Sequence, residues 1–268
     1  MKAVAHFTAL LYNEHMLQSH PRHIAVIMDG NRRWATQAGL SHIYGHRRGA
    51  KRALQLVQAC QKLGIPYLTL YAFSTENWHR SKQEVHDLMQ LLQRVVQRYG
   101  DKLIRQNNIA LSIIGDRSRL PNCLQQQLTQ LCEQTANNSG LRLTIALSYG
   151  SRDEITRATR HLCQDVLMGK LKIQDIQEEL IATYLDTYRL PDPDLLIRTS
   201  GEMRLSNFLL WQLAYTELYV TPTLWPNFSR LELEQALQHF YRRTRRFGGG
   251  LSRMSSQQAT AQQVCQNG

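Results

Sequence analysis

The feature that most restricts the fold is an alternation: short apolar runs separated by longer segments whose apolar residues recur at helical spacing. The runs are His23 to Met28, Tyr67 to Phe73, Ile109 to Gly115, Leu141 to Ser148, Asp194 to Thr199 and Glu217 to Thr221. Such a pattern belongs to a mostly parallel sheet covered by helices. The expected architecture is therefore α/β: a single domain with a central, mostly parallel sheet of about six strands flanked by helices. A chain of 268 residues with 43% hydrophobic content can bury one sizeable core and demands no second domain. The expected organisation is an N-terminal extension over 1–20, one domain over 21–250, and a Gln-rich tail over 251–268 with no apolar period, expected to be disordered.

Two helical segments bear on function. Between the first two runs, Ala50, Ala53, Leu54, Val57, Cys60 and Leu63 fall on one stripe that Gly64 and Pro66 end. From Glu84 to Arg105, Val85, Leu88, Leu92, Val95 and Tyr99 share a face with Met89, Leu91 and Val96 beside them, an unusually wide apolar sector. A wide sector means either deep burial or the wall of an apolar cavity. Ser81 with Glu84, and Ser229 with Glu232, fit capping boxes at helix starts.

In open parallel sheets, ligands bind beyond the carboxyl ends of the strands, so the residues that follow each run carry the chemistry. The first run leads into Asp29-Gly30-Asn31-Arg32-Arg33-Trp34: a carboxylate, a glycine that lets backbone N–H groups approach an anion, and two guanidiniums. Alone, Asp-Gly-Asn reads better as a tight strand-to-helix turn; the adjoining arginines and the later loops shift the balance to an anion site with a metal between carboxylate and anion. The second run leads into Ser74-Thr75-Glu76-Asn77-Trp78-His79-Arg80, whose donors suit a diphosphate and read equally as a solvated helix-entry loop. At the end of the fifth run stands Arg198, followed by Arg204, Leu205 and Ser206 near Gly201, a spacing at which two guanidiniums can clamp one diphosphate. Gly45-His46-Arg47-Arg48-Gly49 reads as the opening of a helix, with its N–H groups available to an anion.

The formal charge of +11 and a pI near 9.7 call for an anionic partner. The arginines are scattered through short polar segments, which favours discrete phosphate pockets; neither stacking platforms nor a nucleic-acid-binding motif is present, so no nucleic-acid partner is expected. Five cysteines without a CxxC pair suit a reducing compartment, and the apolar patch at the N-terminus is too short and interrupted for a signal peptide. The expected location is the cytoplasm.

Taken together, MDGNRRWA, YGHRRG, YAFSTENWHR, IRTSGEMRLSNFLLWQ, AYTELY and RRFGG, in this order and spacing, resemble the cis-prenyltransferases, the undecaprenyl diphosphate synthase-like isoprenyl transferases, from about Pro21 to Gly249. The resemblance implies a Mg²⁺-dependent condensation of isopentenyl diphosphate with an allylic prenyl diphosphate, farnesyl diphosphate being the expected starter, to give a Z-polyprenyl diphosphate. The expected product is a long undecaprenyl-type carrier-lipid precursor, with a short-chain synthase or a noncatalytic subunit of a heterodimer as alternatives.

It further implies that Asp29 binds Mg²⁺ and the allylic diphosphate, helped by Gly30, Asn31, Arg32, Arg33, Trp34 and His46. Ser74, Thr75, Glu76, Asn77, Trp78 and Arg80 would organise the reacting carbons, with Asn77 as a proton relay. Arg198, Arg204, Leu205 and Ser206 would hold isopentenyl diphosphate, and Glu217 would be a second metal carboxylate. Two positions depart from the best-known bacterial pattern: Met203 replaces His, and His42, in the substrate-binding set, replaces Arg. The resemblance also implies a homodimer in which Arg246, Phe247 and Gly248 reach the partner's site, peripheral membrane contact for product release, and an apolar tunnel between the sheet and the wide-faced helix.

Overall fold

The computed structural model describes residues 20–106 and 108–242; the 1–19 extension, the Arg246–Gly248 segment and the tail lie outside the described residues. All six apolar runs are strands: β1 (His23–Ile27), β2 (Tyr67–Ser74), β3 (Ala110–Ile114), β4 (Arg142–Tyr149), β5 (Leu195–Arg198) and β6 (Glu217–Val220). They form one sheet in the order β3-β4-β2-β1-β5-β6, and every pairing is parallel. Parallel pairing requires long crossovers, and the helical segments supply them: α1 (Asn31–Gln37), α2 (His42–Lys62), α3 (Lys82–Gln106), α4 (Asn122–Thr135), α5 (Ser151–Leu167), α6 (Glu178–Tyr184) and α7 (Arg230–Tyr241).

The two faces of the sheet are packed differently. On one, Ile24, Val26, Leu68, Leu70 and Leu143 meet Leu56, Val57 and Cys60 of α2, Leu131 of α4, and Leu233 and Leu237 of α7. On the other, Ala25, Ile27, Ala146, Tyr149 and Leu196 meet Phe208, Leu209 and Leu213. α5 is tied to that second layer by Glu154, which is buried and accepts hydrogen bonds from Tyr149 Oη (2.6 Å) and Gln212 Nε2 (3.2 Å). His23 is also buried: its Nδ1–H donates to the Pro191 carbonyl (2.6 Å) and its Nε2 accepts from Thr69 Oγ1 (2.7 Å), which joins β1 to β2 and to the turn before β5.

Both expected cap serines start their helices, but the return half of each box is not made: Glu84 bonds Arg80, and Glu232 bonds Thr221 and Thr223. Ser81 Oγ accepts from the Glu84 N–H (3.3 Å) ahead of α3, and Ser229 Oγ from the Glu232 N–H (3.4 Å) ahead of α7. Gly30 takes a left-handed φ of 104° that turns the chain from strand directly into helix, the tight turn that Asp-Gly-Asn suggests, so Asn31 to Trp34 are the first turn of α1. One local expectation is corrected. α2 begins at His42, so the N–H groups of His46 to Gly49 lie inside the helix instead of facing an anion. Its glycines serve packing: a Cβ on Gly45 would lie 2.1 Å from the Asn31 carbonyl oxygen, and one on Gly49 2.1 Å from Asn31 Oδ1. Without side chains at those two positions, α2 can seat against α1.

Candidate active site

The carboxyl ends of β1, β2 and β5 open into a basin of about 760 Å³. Five guanidiniums (Arg32, Arg33, Arg80, Arg198 and Arg204) face two carboxylates (Asp29 and Glu76) in its wall, an excess of positive charge suited to a polyanion. Arg198 is buried at its centre. Its Nη2 donates to Asp29 Oδ2 (3.0 Å), and its Nη1 to Ser206 Oγ (2.8 Å) and the Arg204 carbonyl. Arg33 reaches the same Asp29 oxygen (3.5 Å), the Ser200 carbonyl (3.2 Å) and Glu202 (3.0 Å). One carboxylate is thus shared by two arginines from different strand ends.

Two buried polar atoms of residues in the basin wall, Arg198 Nε and His46 Nε2, have no partner among the described residues, and the same holds for Ser200 Oγ beside it and Asn31 Oδ1, which faces Gly49. Buried polar atoms are nearly always paired, so the two in the wall are what a site shows when its partner is a ligand. Ser200, Ser206, Asn207 and Leu209 all adopt left-handed φ values, from 46° to 81°, as does Gly201. For residues other than glycine each costs on the order of 1–3 kcal/mol, and strain of this kind concentrates where a loop must present its groups in one fixed shape.

Ser74 to His79 form a capped 3₁₀ turn: Asn77 Oδ1 accepts from the Ser74 N–H (3.1 Å), and Ser74 Oγ accepts from the Asn77 N–H. One acceptor site of Asn77 is therefore occupied, and its NH₂ donors are what it chiefly offers a ligand. Against the burial that disfavours its charge, hydrogen bonds from Asn207, its own N–H, Ser74 and Thr75 hold the Glu76 carboxyl below the usual carboxylate range. Burial, reinforced by Arg80, lowers the His46 pKa to about 4, so the ring is neutral near pH 7.

Of the residues singled out by sequence, Asp29, Gly30, Asn31, Arg32, Arg33, His46, Ser74, Glu76, Asn77, Arg80, Arg198, Arg204 and Ser206 converge on the basin. The others stand outside its wall. Trp34 stacks on Tyr44 (6.3 Å between centroids), lies under Arg48 and donates to Asn227. Trp78 lies beneath Arg119 and donates to Ser148 Oγ (2.9 Å), Thr75 bonds Glu76, and Leu205 packs on the second apolar layer. His42 and Met203 are exposed and line no part of it. Glu217 pairs in register with Leu195, three residues before the level of Arg198 and Val220, so it lies roughly 10 Å back along the strands. Within one chain it stands apart from Asp29.

Sequence reasoning missed the groups that hold the arginines. Glu84 pairs with Arg80 (2.9 Å) and Arg32 (3.8 Å), and Glu202 with Arg33 and Arg204. Tyr71 donates to the Tyr149 carbonyl (3.0 Å) and stacks on Phe208 at 4.4 Å. The i to i+4 spacing of Arg80 and Glu84 was a usable signal; apart from Glu202 with its near neighbour Arg204, the other contacts join segments far apart in sequence.

Beneath the basin lies an apolar chamber of about 190 Å³ between the sheet, α2, α3 and α4. Leu88, Leu91, Leu92, Val95, Val96 and Tyr99 of α3 line it, so most of the wide sector is a cavity wall. Met28, Asn31, His46, Ala72, Phe73 and Leu88 line both spaces and form the neck between them. A charged basin opening onto an apolar chamber fits an amphiphile with a polyanionic head.

A family model described as "Putative undecaprenyl diphosphate synthase" matches residues 27–248. The chain belongs to the isoprenyl transferase family. The isoprenyl transferase of Agrobacterium fabrum is 50% identical over 230 residues, 86% of this chain and 93% of that relative; that of Geobacter sulfurreducens is 49% identical over 228, or 85% and 92%. Among solved structures, lavandulyl diphosphate synthase from Lavandula x intermedia, in complex with dimethylallyl diphosphate, superposes with a TM-score of 0.84 at 39% identity, over 86% of this chain and 99% of that one. A "probable undecaprenyl diphosphate synthase" from Campylobacter jejuni does so with 0.71 at 37% identity, over 87% and 100%. This isoprenyl transferase is thus a prenyltransferase on a six-stranded parallel sheet. Among its described residues no helix is long and apolar enough to cross a membrane.

Proposed function

We propose that the protein condenses isopentenyl diphosphate with an allylic prenyl diphosphate, farnesyl diphosphate in the first instance, and repeats the step to make a long Z-polyprenyl diphosphate. The observation that carries this reading is the neck: a basin rich in guanidiniums opens directly onto an apolar chamber. The diphosphate head would sit among Arg32, Arg33 and His46, and its hydrocarbon would descend past Ala72. Arg198, Arg204 and Ser206 would hold isopentenyl diphosphate, with the Asn77 turn between the two heads. The allylic C–O bond breaks as the double bond of isopentenyl diphosphate forms the new C–C bond; a proton then leaves, passed by Asn77 to diphosphate or water because a neutral amide is a poor base. Guanidiniums held in place by Asp29, Glu84 and Glu202 need little reorganisation as charge grows on the leaving diphosphate.

Asp29 is the residue that would hold Mg²⁺. Its carboxylate lines the basin and stays partly exposed. Among the described residues no group of three or more His, Cys, Asp or Glu could hold a metal, so diphosphate oxygens and water would complete the shell, as this cation prefers. When bound, the ion would supply positive charge to the departing diphosphate.

A noncatalytic subunit is the weaker reading because Asp29, Asn77 and Arg198 all converge on the basin. Strand β6 lies at the sheet edge and exposes Leu218 and Val220, apolar groups that a second copy would cover, which supports a homodimer. We assign the enzyme to the cytoplasm, with peripheral membrane contact at product release. The test is incorporation of radiolabelled isopentenyl diphosphate with farnesyl diphosphate and Mg²⁺, with and without chelator, followed by sizing of the product. Long labelled polyprenol that is lost with chelator and in Asp29→Ala is the expected result; a short product would make it a short-chain synthase, and none with any starter would favour the noncatalytic subunit.

A further inference from the structure

Asn207 follows Ser206 in the loop after β5 and lines the basin, yet its own hydrogen bonds within the protein go to other segments. Its Nδ2 donates to Glu76 Oε1 (2.9 Å) in the turn after β2. Its carbonyl oxygen accepts from the Ser151 N–H (2.8 Å) and its Oδ1 from the Arg152 N–H (2.9 Å). These are the first two N–H groups of α5, which has no side-chain cap of its own. The contact is reciprocal, since Ser151 Oγ accepts from the Leu210 N–H (3.0 Å). One residue thus caps a helix through an N–H group 55 positions before it in the chain and reaches a carboxylate 131 positions before it.

The crowding around it leaves little room for another arrangement. A Cβ on Gly150 would lie 2.7 Å from Asn207 Nδ2 and 2.5 Å from Thr75 Oγ1, so the ends of β2, β4 and β5 meet at this amide. Its φ of 59° is one that asparagine tolerates better than other residues with a Cβ. Glu76 and Ser206 both face the basin. The distance between them is set by the span of a single side chain.

We propose that Asn207 is a positioning residue: by tying the Glu76 turn to the Ser206 loop, it fixes the two substrate-holding loops in one mutual placement. The proposal rests on the reading of the basin as a prenyl-transfer site. Capping and coupling are separable by substitution. Asn207→Asp keeps both acceptors for α5, tolerates the left-handed backbone and adds a negative charge that a helix N-terminus favours. It removes the donor to Glu76 and sets two carboxylates against each other.

The experiment is a cycle of Asn207→Asp, Glu76→Gln and the double variant, with Asn207→Ala as reference, read as KM for isopentenyl diphosphate, kcat and melting temperature. In Asn207→Asp the melting temperature is expected to stay near wild type, while kcat/KM falls about tenfold or more, as loss of a hydrogen bond to a charged group implies. In the double variant the amide placed at position 76 can donate to the carboxylate placed at position 207, which restores the link with its polarity reversed. The combined loss should then be at least about threefold smaller than the product of the single losses. A purely structural Asn207 would leave Asn207→Asp at wild-type KM and kcat, or give independent losses, and either result overturns the proposal. Should the wild type transfer no prenyl group, the activity reading has failed, and the cycle is run on calorimetric binding of inorganic diphosphate. Coupled losses there uphold the positioning role; independent losses, or no binding by the wild type, overturn it.

Discussion

The basin and the chamber share six residues and differ in how they are held. The basin is built on strand ends and loops, and its groups are fixed by contacts between segments far apart in the chain: Asp29 to Arg198, Glu202 to Arg33, Glu84 to Arg32. The chamber is walled by side chains on α2, α3, α4 and the strands, whose spacing the helix and the pleat already dictate. Polar preorganisation therefore depends on tertiary pairing, whereas the apolar space depends on volume. The two should fail in different ways when altered.

The largest effect is expected from Arg198→Met. It removes the group that contacts Asp29, Ser206 and the Arg204 carbonyl together, and turnover should fall on the order of a hundredfold or more, with the residual product unchanged in length. A shorter residual product in that assay would break the distinction between basin and chamber. Conversely, Ala53→Phe puts a ring into the chamber. Its expected signature is a product several isoprene units shorter with the first condensation slowed only slightly, since each displaced CH₂ forfeits roughly 0.8 kcal/mol of burial. Product sizing by thin-layer chromatography decides it.

A smaller effect concerns pH. Burial lowers the pKa of both His23 and His46 to about 4. The unfolded chain takes up protons on these rings as pH falls below about 6.5 while the folded chain does not, so stability present above pH 6.5 is lost between there and pH 4. The melting temperature should drop across that window, and His23→Gln should flatten the drop without touching the basin. The smallest change is predicted for Arg119→Ala, which removes the guanidinium 4.6 Å above the Trp78 ring. About 0.5–1 kcal/mol of stability is at stake, visible as a melting shift of a few degrees with little change in kcat.

The same division governs what could be read from the sequence. All six strands were legible, because apolar runs between helical segments have few other uses, and their ends fall within one residue of the observed ones. The wide sector of α3 was legible as an ambiguity, which the chamber resolves. The turn from β1 into α1 was legible in Asp-Gly-Asn, but the residue at which helix begins shows only in the backbone at Gly30. The basin residues were legible as motifs and the Arg80–Glu84 spacing as a signal, but neither the pairing of Glu202 with Arg33 nor the turning of Trp34 and Trp78 away from the basin leaves a local trace. Glu217 shows the limit most plainly, for its place depends on strand register.

The neck carries a consequence for how a polymer is made. If the head stays in the basin and the tail lies below, each new unit enters at the head and displaces the older chain downward past Ala72 and Phe73. Growth then resembles extrusion through a die: the reacting carbon is always at the same address, and the material moves instead of the machine. An enzyme of this kind has no need to count, because the record of past cycles is the length of chain already threaded.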